Sequence, residues 1–155
     1  MKTHLGVGLV ALALAGLSST GAWAEANPYV GTWKKNAKES FGMPDPAGSE
    51  ITVIRRHDSV LDYTWTGTGS DGKTETFSYS GAVDGKERSL PGNTGLRGAM
   101  ILTPSGVIEG KLWGADGSLE DKYCILSAPG RMTCFATFTD GAGKVSLFKE
   151  VFDRE

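Results

Sequence analysis

The chain has 155 residues, which is enough for one domain with a hydrophobic core and too few for a second domain. Its 16 basic and 18 acidic side chains give a net charge of −2 at pH 7. This balance argues against a nucleic-acid-binding protein and against a polybasic surface that would bind a membrane.

The first 24 residues have the organisation of a cleaved signal peptide. After a short basic start, residues 5–17 are apolar, and Ala22-Trp23-Ala24 matches an Ala-x-Ala cleavage site. The apolar run is shorter than the about 20 residues that a membrane-spanning helix needs. No Cys directly follows the cleavage site to carry a lipid anchor. We therefore predict cleavage after Ala24, a single domain over residues 25–155, a periplasmic or secreted location and no membrane anchor.

Frequent turn signals divide residues 25–155 into short segments. These 131 residues include 18 glycines, which is close to twice the usual share of about 7 per cent. Many of the glycines lie in clusters such as Asp71-Gly72, Asp84-Gly85 and Asp140-Gly141. Asp-Gly favours hairpins because glycine adopts positive φ at little cost. Between the turns apolar and polar side chains alternate, for example over residues 61–66, which is typical of half-buried strands.

The chain is therefore predicted to be all-β. Ten strands are expected near residues 30–36, 50–57, 60–67, 73–81, 86–90, 95–103, 107–114, 118–127, 131–139 and 144–153. Consecutive hairpins indicate an antiparallel up-and-down sheet, and closing that sheet would leave no exposed edge. We predict a closed antiparallel up-and-down β-barrel of about 8–10 strands. A β-sandwich is the alternative, although only residues 36–49 could supply the long crossover that a sandwich usually needs.

Cys124 and Cys134 are the only cysteines, and export to an oxidising compartment makes them a predicted disulfide pair. They flank the turn Ala128-Pro129-Gly130. A three-residue loop centred on Pro129 is preferred, because the two-residue alternative would be a type II turn that splays the strands. The three-residue loop places the two cysteines directly opposite each other, at a separation that suits a disulfide.

The same register assigns side chains to the two faces of the sheet. Leu126, Met132, Ala136 and Phe138 share a face with the cysteines, and this more apolar face is expected to point inward. Alternation on other strands adds further inward candidates. A barrel of about eight or more strands can hold a small ligand among such residues. The predicted ligand pocket consists of Tyr63, Trp65, Phe77, Tyr79, Met100, Leu102, Leu112, Met132 and Phe138.

The start of the predicted domain resembles the opening of the calycin barrels. Tyr29-Val30-Gly31-Thr32-Trp33-Lys34-Lys35, followed by Ser40-Phe41, is similar to the Gly-x-Trp of lipocalins and to the Gly-Thr-Trp-Lys of intracellular lipid-binding proteins. Asn27-Pro28 before this segment and the later Asp-Gly-Lys turns resemble a group of small exported bacterial proteins described as lipocalin-like. The resemblance implies a single lipocalin-like β-barrel domain.

The resemblance also implies a role for Trp33. In calycins this tryptophan plugs one end of the barrel and a basic residue at the last strand packs across its ring, so Arg154 is the expected partner. Intracellular lipid-binding proteins commonly carry Arg-x-Tyr for a fatty-acid carboxylate, where this chain has Glu150-Val151-Phe152. Residues 36–49 are also too short for the two lid helices of those proteins. A fatty-acid ligand is therefore not expected.

Catalysis needs converging titratable groups, and the sequence offers few of them. His57, between Arg56 and Asp58 at a strand end, is the only histidine after the signal peptide and is expected to be solvated. Glu120 and Asp121 are adjacent on a predicted strand and therefore face opposite sides. We predict that the protein is not an enzyme and has no catalytic residue, metal site or cofactor.

Two functions fit the predicted fold. In the first, an exported carrier binds a small apolar ligand in the barrel interior, which requires a cavity of about 300 Å³ or more. In the second, a periplasmic inhibitor or accessory subunit binds a protein, with Arg97, Lys111, Trp113 and Arg131 as candidate surface residues. The inward aromatic residues and the resemblance favour the carrier. The expected partner is a small hydrophobic ligand or a protein, and not a nucleic acid.

Overall fold

A computed structural model describes residues 27–42, 48–92 and 95–155. The predicted signal peptide lies outside these residues. Each of the ten predicted strands is present in the structure. The strands are Gly31–Lys35 (β1), Ser49–His57 (β2), Val60–Thr68 (β3), Thr74–Ala82 (β4), Arg88–Ser89 (β5), Arg97–Leu102 (β6), Ile108–Trp113 (β7), Leu119–Ala128 (β8), Arg131–Thr139 (β9) and Val145–Arg154 (β10).

The ten strands form one antiparallel sheet, in which hydrogen-bonded neighbours follow the order β4-β3-β2-β1-β10-β9-β8-β7-β6-β5. Strands that are consecutive in the chain are therefore neighbours, apart from β4 and β5, which form the two edges. The first strand, β1, also pairs with the last, β10. The sheet curls through 305° into an open half-barrel. This arrangement confirms the predicted all-β, up-and-down class and the strand count.

The predicted closure of the barrel is wrong, because a gap that we call the seam separates β4 from β5 and β6. After Ala82 the chain runs along β6 and not back along β4. Gly85 N donates to Met100 O at 2.9 Å, and both residues of β5 pair with β6. In the described sheet β5 pairs with β6 alone and forms an edge. The alternative β-sandwich is not observed either, since the described strands belong to one sheet.

Side chains hold the seam together at one of its ends. Arg88, on β5, donates to the carbonyl oxygen of Ala82 at 3.3 Å. The same guanidinium makes two contacts with the Asp84 carboxylate, at 2.8 and 3.0 Å. At the other end, residues 74–76 of β4 are exposed. The seam is therefore bridged near Ala82 and open near Thr74.

Side-chain alternation directs one face of the sheet into the half-barrel. On β9, Met132, Cys134 and Ala136 are buried, whereas the intervening Phe135 is exposed. The predicted inward face of this strand therefore lies inside. The core that forms there consists of Trp33, Ile54, Leu61, Tyr79, Leu90, Met100, Met132, Cys134 and Phe152.

Residues 27–30, which we call the N-terminal strap, pack against one end of the half-barrel. Trp33 Nε1 donates to the carbonyl oxygen of Tyr29 at 2.8 Å, and Arg154 donates to that of Pro28. Arg154 lies opposite Trp33 in the β1–β10 pairing, and its guanidinium carbon is 4.8 Å from the centre of the indole ring. Trp33 is completely buried. The strap, the tryptophan and the guanidinium together close this end.

A disulfide bond joins Cys124 on β8 to Cys134 on β9. The two residues lie directly opposite each other in the antiparallel pairing, and their Cα atoms are 4.0 Å apart. Both cysteines border the interior of the half-barrel. The structure therefore contains the predicted pairing, in the predicted register.

The turn between these two strands differs from the predicted three-residue loop. Ala128 pairs with Arg131, which leaves Pro129 and Gly130 as a two-residue turn. Gly130 has a φ of 69°, in the left-handed region that the second central residue of a type II turn requires. A β-bulge before Ala128 adds one residue to β8 and restores the register that brings the cysteines together.

We expect Trp33→Ala to lower the free energy of unfolding by about 3–5 kcal/mol, because it leaves a cavity in the core. Arg154→Met keeps an aliphatic contact with the indole but removes the charge, and should cost about 0.5–2 kcal/mol. Urea denaturation followed by circular dichroism measures both changes. An unchanged denaturation midpoint for Trp33→Ala would contradict a structural role of this end.

The double variant Cys124→Ala/Cys134→Ala should lose about 2–3 kcal/mol of stability, because the bridge restricts the unfolded chain. A reductant should lower the stability of the wild-type protein to the same extent and leave the double variant unchanged. Urea denaturation with and without reductant makes the comparison. A wild-type midpoint that is insensitive to a fully reducing buffer would argue against the bridge.

Candidate functional site

The half-barrel contains an interior cavity of about 100 Å³. Most of its wall is apolar, and six of the nine predicted pocket residues contribute to it. These are Tyr63, Trp65, Phe77, Met100, Leu112 and Met132. The aromatic members pack on one another, with the Phe77 ring 5.1 Å from Trp65 and 6.0 Å from Tyr63. Sequence alternation thus brings together much of the apolar wall.

The structure places the other three predicted pocket residues elsewhere. Tyr79 is buried in the core, where its hydroxyl donates to the carbonyl oxygen of Ala82 at 2.9 Å. Phe138 lines a separate cleft at the seam. Leu102 is half-buried at the end of β6 and borders neither space. The cavity wall also contains residues outside the predicted pocket: Tyr29, Thr52, Ile54, His57, Leu61, Ile108, Gly110, Glu120, Lys122, Cys124, Cys134 and Phe152.

A cleft of about 520 Å³ opens at the unpaired end of the seam, and we call it the seam cleft. It lies between β4 and the ends of β6 and β7 that face it. Trp65, Phe77, Leu112 and Glu120 line both the seam cleft and the interior cavity. These four side chains therefore form a wall shared by the two spaces.

His57 is buried, which corrects the expectation that it is solvated. On β2, Ile54 pairs with Tyr63 but Arg56 pairs with Asp62, so Arg55 is the extra residue of a β-bulge. The bulge reverses the alternation, and Ile54 and His57 both face the interior. The sequence contains a signal of this bulge. In regular alternation Arg56 would point inward on the same face as Ile54, and arginine is rarely buried without a partner.

The N-terminal strap holds the imidazole of His57 in place. Tyr29 N donates to Asn27 Oδ1 at 3.0 Å, which directs the Asn27 amide nitrogen towards His57. That nitrogen donates to the His57 carbonyl oxygen and lies 3.3 Å from Nδ1. The Tyr29 ring stacks on the imidazole, with ring centres 4.1 Å apart. Burial lowers the pKa of His57 below its ordinary value of 6.5, so the ring is neutral at pH 7.

Five charged side chains meet at the other end of the interior and form what we call the interior charge cluster: Lys35, Glu50, Glu120, Lys122 and Glu150. Lys35 Nζ is 2.5 Å from Glu50 Oε1 and 3.6 Å from Glu150 Oε1. Lys122 Nζ is 2.7 Å from Glu150 Oε2 and 3.0 Å from Glu120 Oε1. Three carboxylates and two ammonium groups give the cluster a formal charge of −1.

Burial and ion pairing affect the carboxyl groups of this cluster differently. Burial raises the pKa of Glu50, and repulsion from Glu150 adds to the effect. Burial also raises the pKa of Glu150, but the charges of Lys122 and Lys35 outweigh it and hold that pKa below its ordinary value of 4.5. Glu150 is therefore the ionised centre of the cluster, while Glu50 takes up a proton more readily than an ordinary glutamate.

Part of the interior charge cluster could have been found from the sequence. Glu120 and Lys122 alternate with Cys124 on β8, so the register of the cysteines already assigns both charges to the inward face. Lys35, Glu50 and Glu150 lie on β1, β2 and β10 and carry no local signal of their meeting. A comparison of Glu120 with its neighbour Asp121 alone does not reveal its ion pair with Lys122, two residues along the same strand.

The described part of the chain contains no group of three or more His, Cys, Asp or Glu side chains that could hold a metal ion. Among the same residues, no helix has the length and the apolar character needed to cross a membrane. No family model matches the sequence, and no curated protein matches it. The curled all-strand half-barrel is compatible with a lipocalin-like or calycin fold.

At pH 7 we expect Glu150→Gln to lower the free energy of unfolding by about 3 kcal/mol, because it leaves the buried ammonium of Lys35 and the half-buried ammonium of Lys122 without their shared anion. Glu50→Gln is the matched control and should cost less, since burial already disfavours the charged form of Glu50. Urea denaturation of both variants at a series of pH values measures the losses.

The pH dependence of the Glu150→Gln deficit follows from the lowered pKa of Glu150. The stabilisation by ionised Glu150 is complete above the ordinary value of 4.5 and is lost as the pH falls through the lower folded-state value. Glu50, whose pKa is raised, behaves oppositely: its contribution is complete below 4.5 and is lost as the pH rises through its folded-state value. Equal losses for the two variants at every pH would refute this assignment.

Proposed function

We propose that the protein is an exported, lipocalin-like half-barrel that binds a small, mainly apolar ligand, and that the ligand reaches the interior cavity through the seam. The observation that carries this proposal is the wall shared by the cavity and the seam cleft. Trp65, Phe77, Leu112 and Glu120 line both spaces, so a ligand in the cleft needs to displace only these side chains to reach the interior.

The two volumes limit the shape of the ligand. The interior cavity, at about 100 Å³, falls short of the about 300 Å³ that a carrier enclosing its ligand in the barrel interior requires. The seam cleft adds about 520 Å³. We therefore expect a ligand that inserts a slender apolar part between Trp65 and Leu112 and keeps its bulk in the cleft. A ligand enclosed entirely by the sheet would have to be close to benzene in size.

The charges around the seam cleft limit the chemistry of the ligand. Glu75 and Glu120 line the cleft together with the aromatic rings of Trp65, Phe77 and Phe138, and no basic side chain is among its described lining residues. A carboxylate or phosphate on the ligand would therefore meet negative charge. An uncharged or cationic polar group suits this surface. Because fatty acids carry a carboxylate, we do not expect them as ligands.

Export and membership of the lipocalin-like group are part of the proposal. A disulfide-bonded pair, Cys124–Cys134, is typical of proteins in an oxidising compartment, and it supports the signal peptide that the sequence predicts. The half-barrel and the contact between Arg154 and Trp33 support the relation to calycins that the opening motif suggests.

A fluorescence titration with the uncharged apolar dye N-phenyl-1-naphthylamine tests the binding site. We expect the wild-type protein to bind the dye, and Leu112→Trp to weaken binding by about tenfold or more, because the larger ring fills the shared wall. Lys111→Ala, on the outer face of the same strand, is the control and should bind normally. Absence of binding by the wild type, or equal binding by Leu112→Trp, would refute a site at the seam.

A second candidate function, binding to a partner protein, is supported by an exposed apolar patch on the outer face of β8, β9 and β10. Tyr123 and Phe135 stack there with ring centres 5.4 Å apart. Phe41 and Leu147, nearby on the same face, are 62 % and 70 % exposed. Phe41 pairs with Lys149, which in turn pairs with Phe135, and Leu147 pairs with Thr137 of β9. Large apolar side chains exposed together on one face in this way often mark an interaction site.

Three of the four surface residues predicted for such an interface are engaged in ion pairs, and the fourth, Trp113, is half-buried at the end of β7. Arg97 contacts Glu87 at 2.5 Å, and Lys111 contacts Asp121. Arg131 contacts Glu39 and Asp153, each at 2.9 Å. Native mass spectrometry of the protein isolated from its own periplasm separates the two functions. A bound small molecule supports the carrier, and an empty chain with a stoichiometric protein partner supports the interaction module.

A further inference from the structure

We infer that His57 is the polar anchor of the interior cavity, and that the ligand is an uncharged molecule whose inserted apolar part carries a hydrogen-bond acceptor such as a carbonyl or ether oxygen. The inference rests on the proposed function, because it requires that a small molecule reaches the cavity. It adds the chemical class of the ligand and the atom that recognises it.

The hydrogen bonds of the N-terminal strap determine which nitrogen of His57 carries the proton. The backbone N–H of Tyr29 donates to Asn27 Oδ1, so the amide group of Asn27 presents its nitrogen, a donor, to His57. Nδ1 of His57 has to accept this contact and therefore carries a lone pair. A neutral imidazole with a lone pair on Nδ1 carries its proton on Nε2.

The Nε2–H group is a buried donor without a partner. His57 is 5 % exposed and lines the interior cavity, and its Nε2 has no hydrogen-bond partner among the described residues. Tyr29 stacks on one face of the ring and prevents it from turning towards solvent. A buried N–H without an acceptor is unfavourable, which makes the atom a strong selector for an oxygen acceptor on a bound molecule.

The rest of the cavity wall favours an uncharged ligand. Ile54, Leu61 and Phe152 lie in the same wall as His57 and offer no countercharge. At the opposite end, Glu120 and Lys122 of the interior charge cluster line the cavity as an ion pair, 3.0 Å apart. A charged group on the ligand would have to compete with this pair, and a cation at the inner end would face the N–H of His57. An uncharged group with an acceptor oxygen accepts the hydrogen bond from His57 and places no charge beside the interior charge cluster.

The tautomer can be tested on the wild-type protein without any variant. Nitrogen-15 NMR of the imidazole should show a protonated Nε2 and an unprotonated Nδ1 at pH 7. The Asn27→Ala variant removes the donor to Nδ1 and should reduce this preference. A proton on Nδ1 in the wild-type protein would overturn the inference.

A matched pair of probes tests ligand selection. Cyclohexanone and methylenecyclohexane have the same ring and nearly the same shape, but only the ketone carries an acceptor oxygen. NMR titrations give the ratio of their affinities for each protein. His57→Phe should reduce the preference for the ketone by about 3–10-fold, the effect of one neutral hydrogen bond. Hydration of the probes cancels because the same two molecules are compared in both proteins. Lys111→Ala, on the outer face of β7, is the control and should leave the ratio unchanged.

The outcomes separate failure of the inference from failure of the proposed function. If the wild-type protein binds neither probe nor the naphthylamine dye, the proposed function fails and the inference with it. If both probes bind and His57→Phe leaves the ratio unchanged, the cavity is a binding site and the inference alone is overturned. Should His57→Phe not fold, the Nε2–H signal of the wild type decides: cyclohexanone should shift it and methylenecyclohexane should not, and equal shifts overturn the inference.

Discussion

The backbone pairing of β1 with both β2 and β10 is the constraint on which the rest of the structure depends. Among the described strands, this strand of five residues joins by backbone pairing the two parts of the sheet, β2 to β4 on one side and β5 to β10 on the other. Its inward side chains secure the junction at both ends. Trp33 packs beneath Arg154 of β10, and Lys35 forms ion pairs with Glu50 of β2 and Glu150 of β10. Burial of an indole and of an ammonium group on one short strand therefore holds the curled sheet in shape.

The parts of the fold that could be predicted are those governed by local rules. Turn residues at regular intervals and two-residue alternation located ten strands, and the opposition of Cys124 and Cys134 followed from counting residues around one turn. Closure could not be predicted in this way, because it depends on whether the chain after Ala82 pairs with β4 or with β6. The turn at Pro129 shows the same limit: a bulge compensates for a different loop, so a correct register followed from an incorrect turn.

The candidate site was predictable only in its apolar half. Aromatic and aliphatic residues at alternate positions identified Trp65, Phe77 and Leu112, because inward direction and apolar character coincide in them. In the polar half of the site, inward direction and apolar character do not coincide. His57 reaches the interior through the bulge at Arg55, and Glu150 is acceptable at an inward position only because lysines from two other strands neutralise it. Buried ion pairs of this kind contribute little net stability but strongly disfavour any register that separates them, so they specify the fold more than they strengthen it.

The open seam connects the stability of the sheet to its proposed function. Unpaired strand edges invite pairing with other chains, and this protein reduces the hazard by keeping β5 to two residues and by placing the exposed Glu75 in the middle of the open stretch of β4. Hydroxyl pairs between Thr66 and Thr76 and between Thr68 and Thr74 hold that edge to β3 without extending it. Had β4 and β5 joined, backbone hydrogen bonds would cover the wall of Trp65 and Phe77, and the interior would have no access on that side. Because charge and the shortness of β5, and not closure, protect this edge, the wall between the interior cavity and the seam cleft consists of side chains and is not covered by backbone.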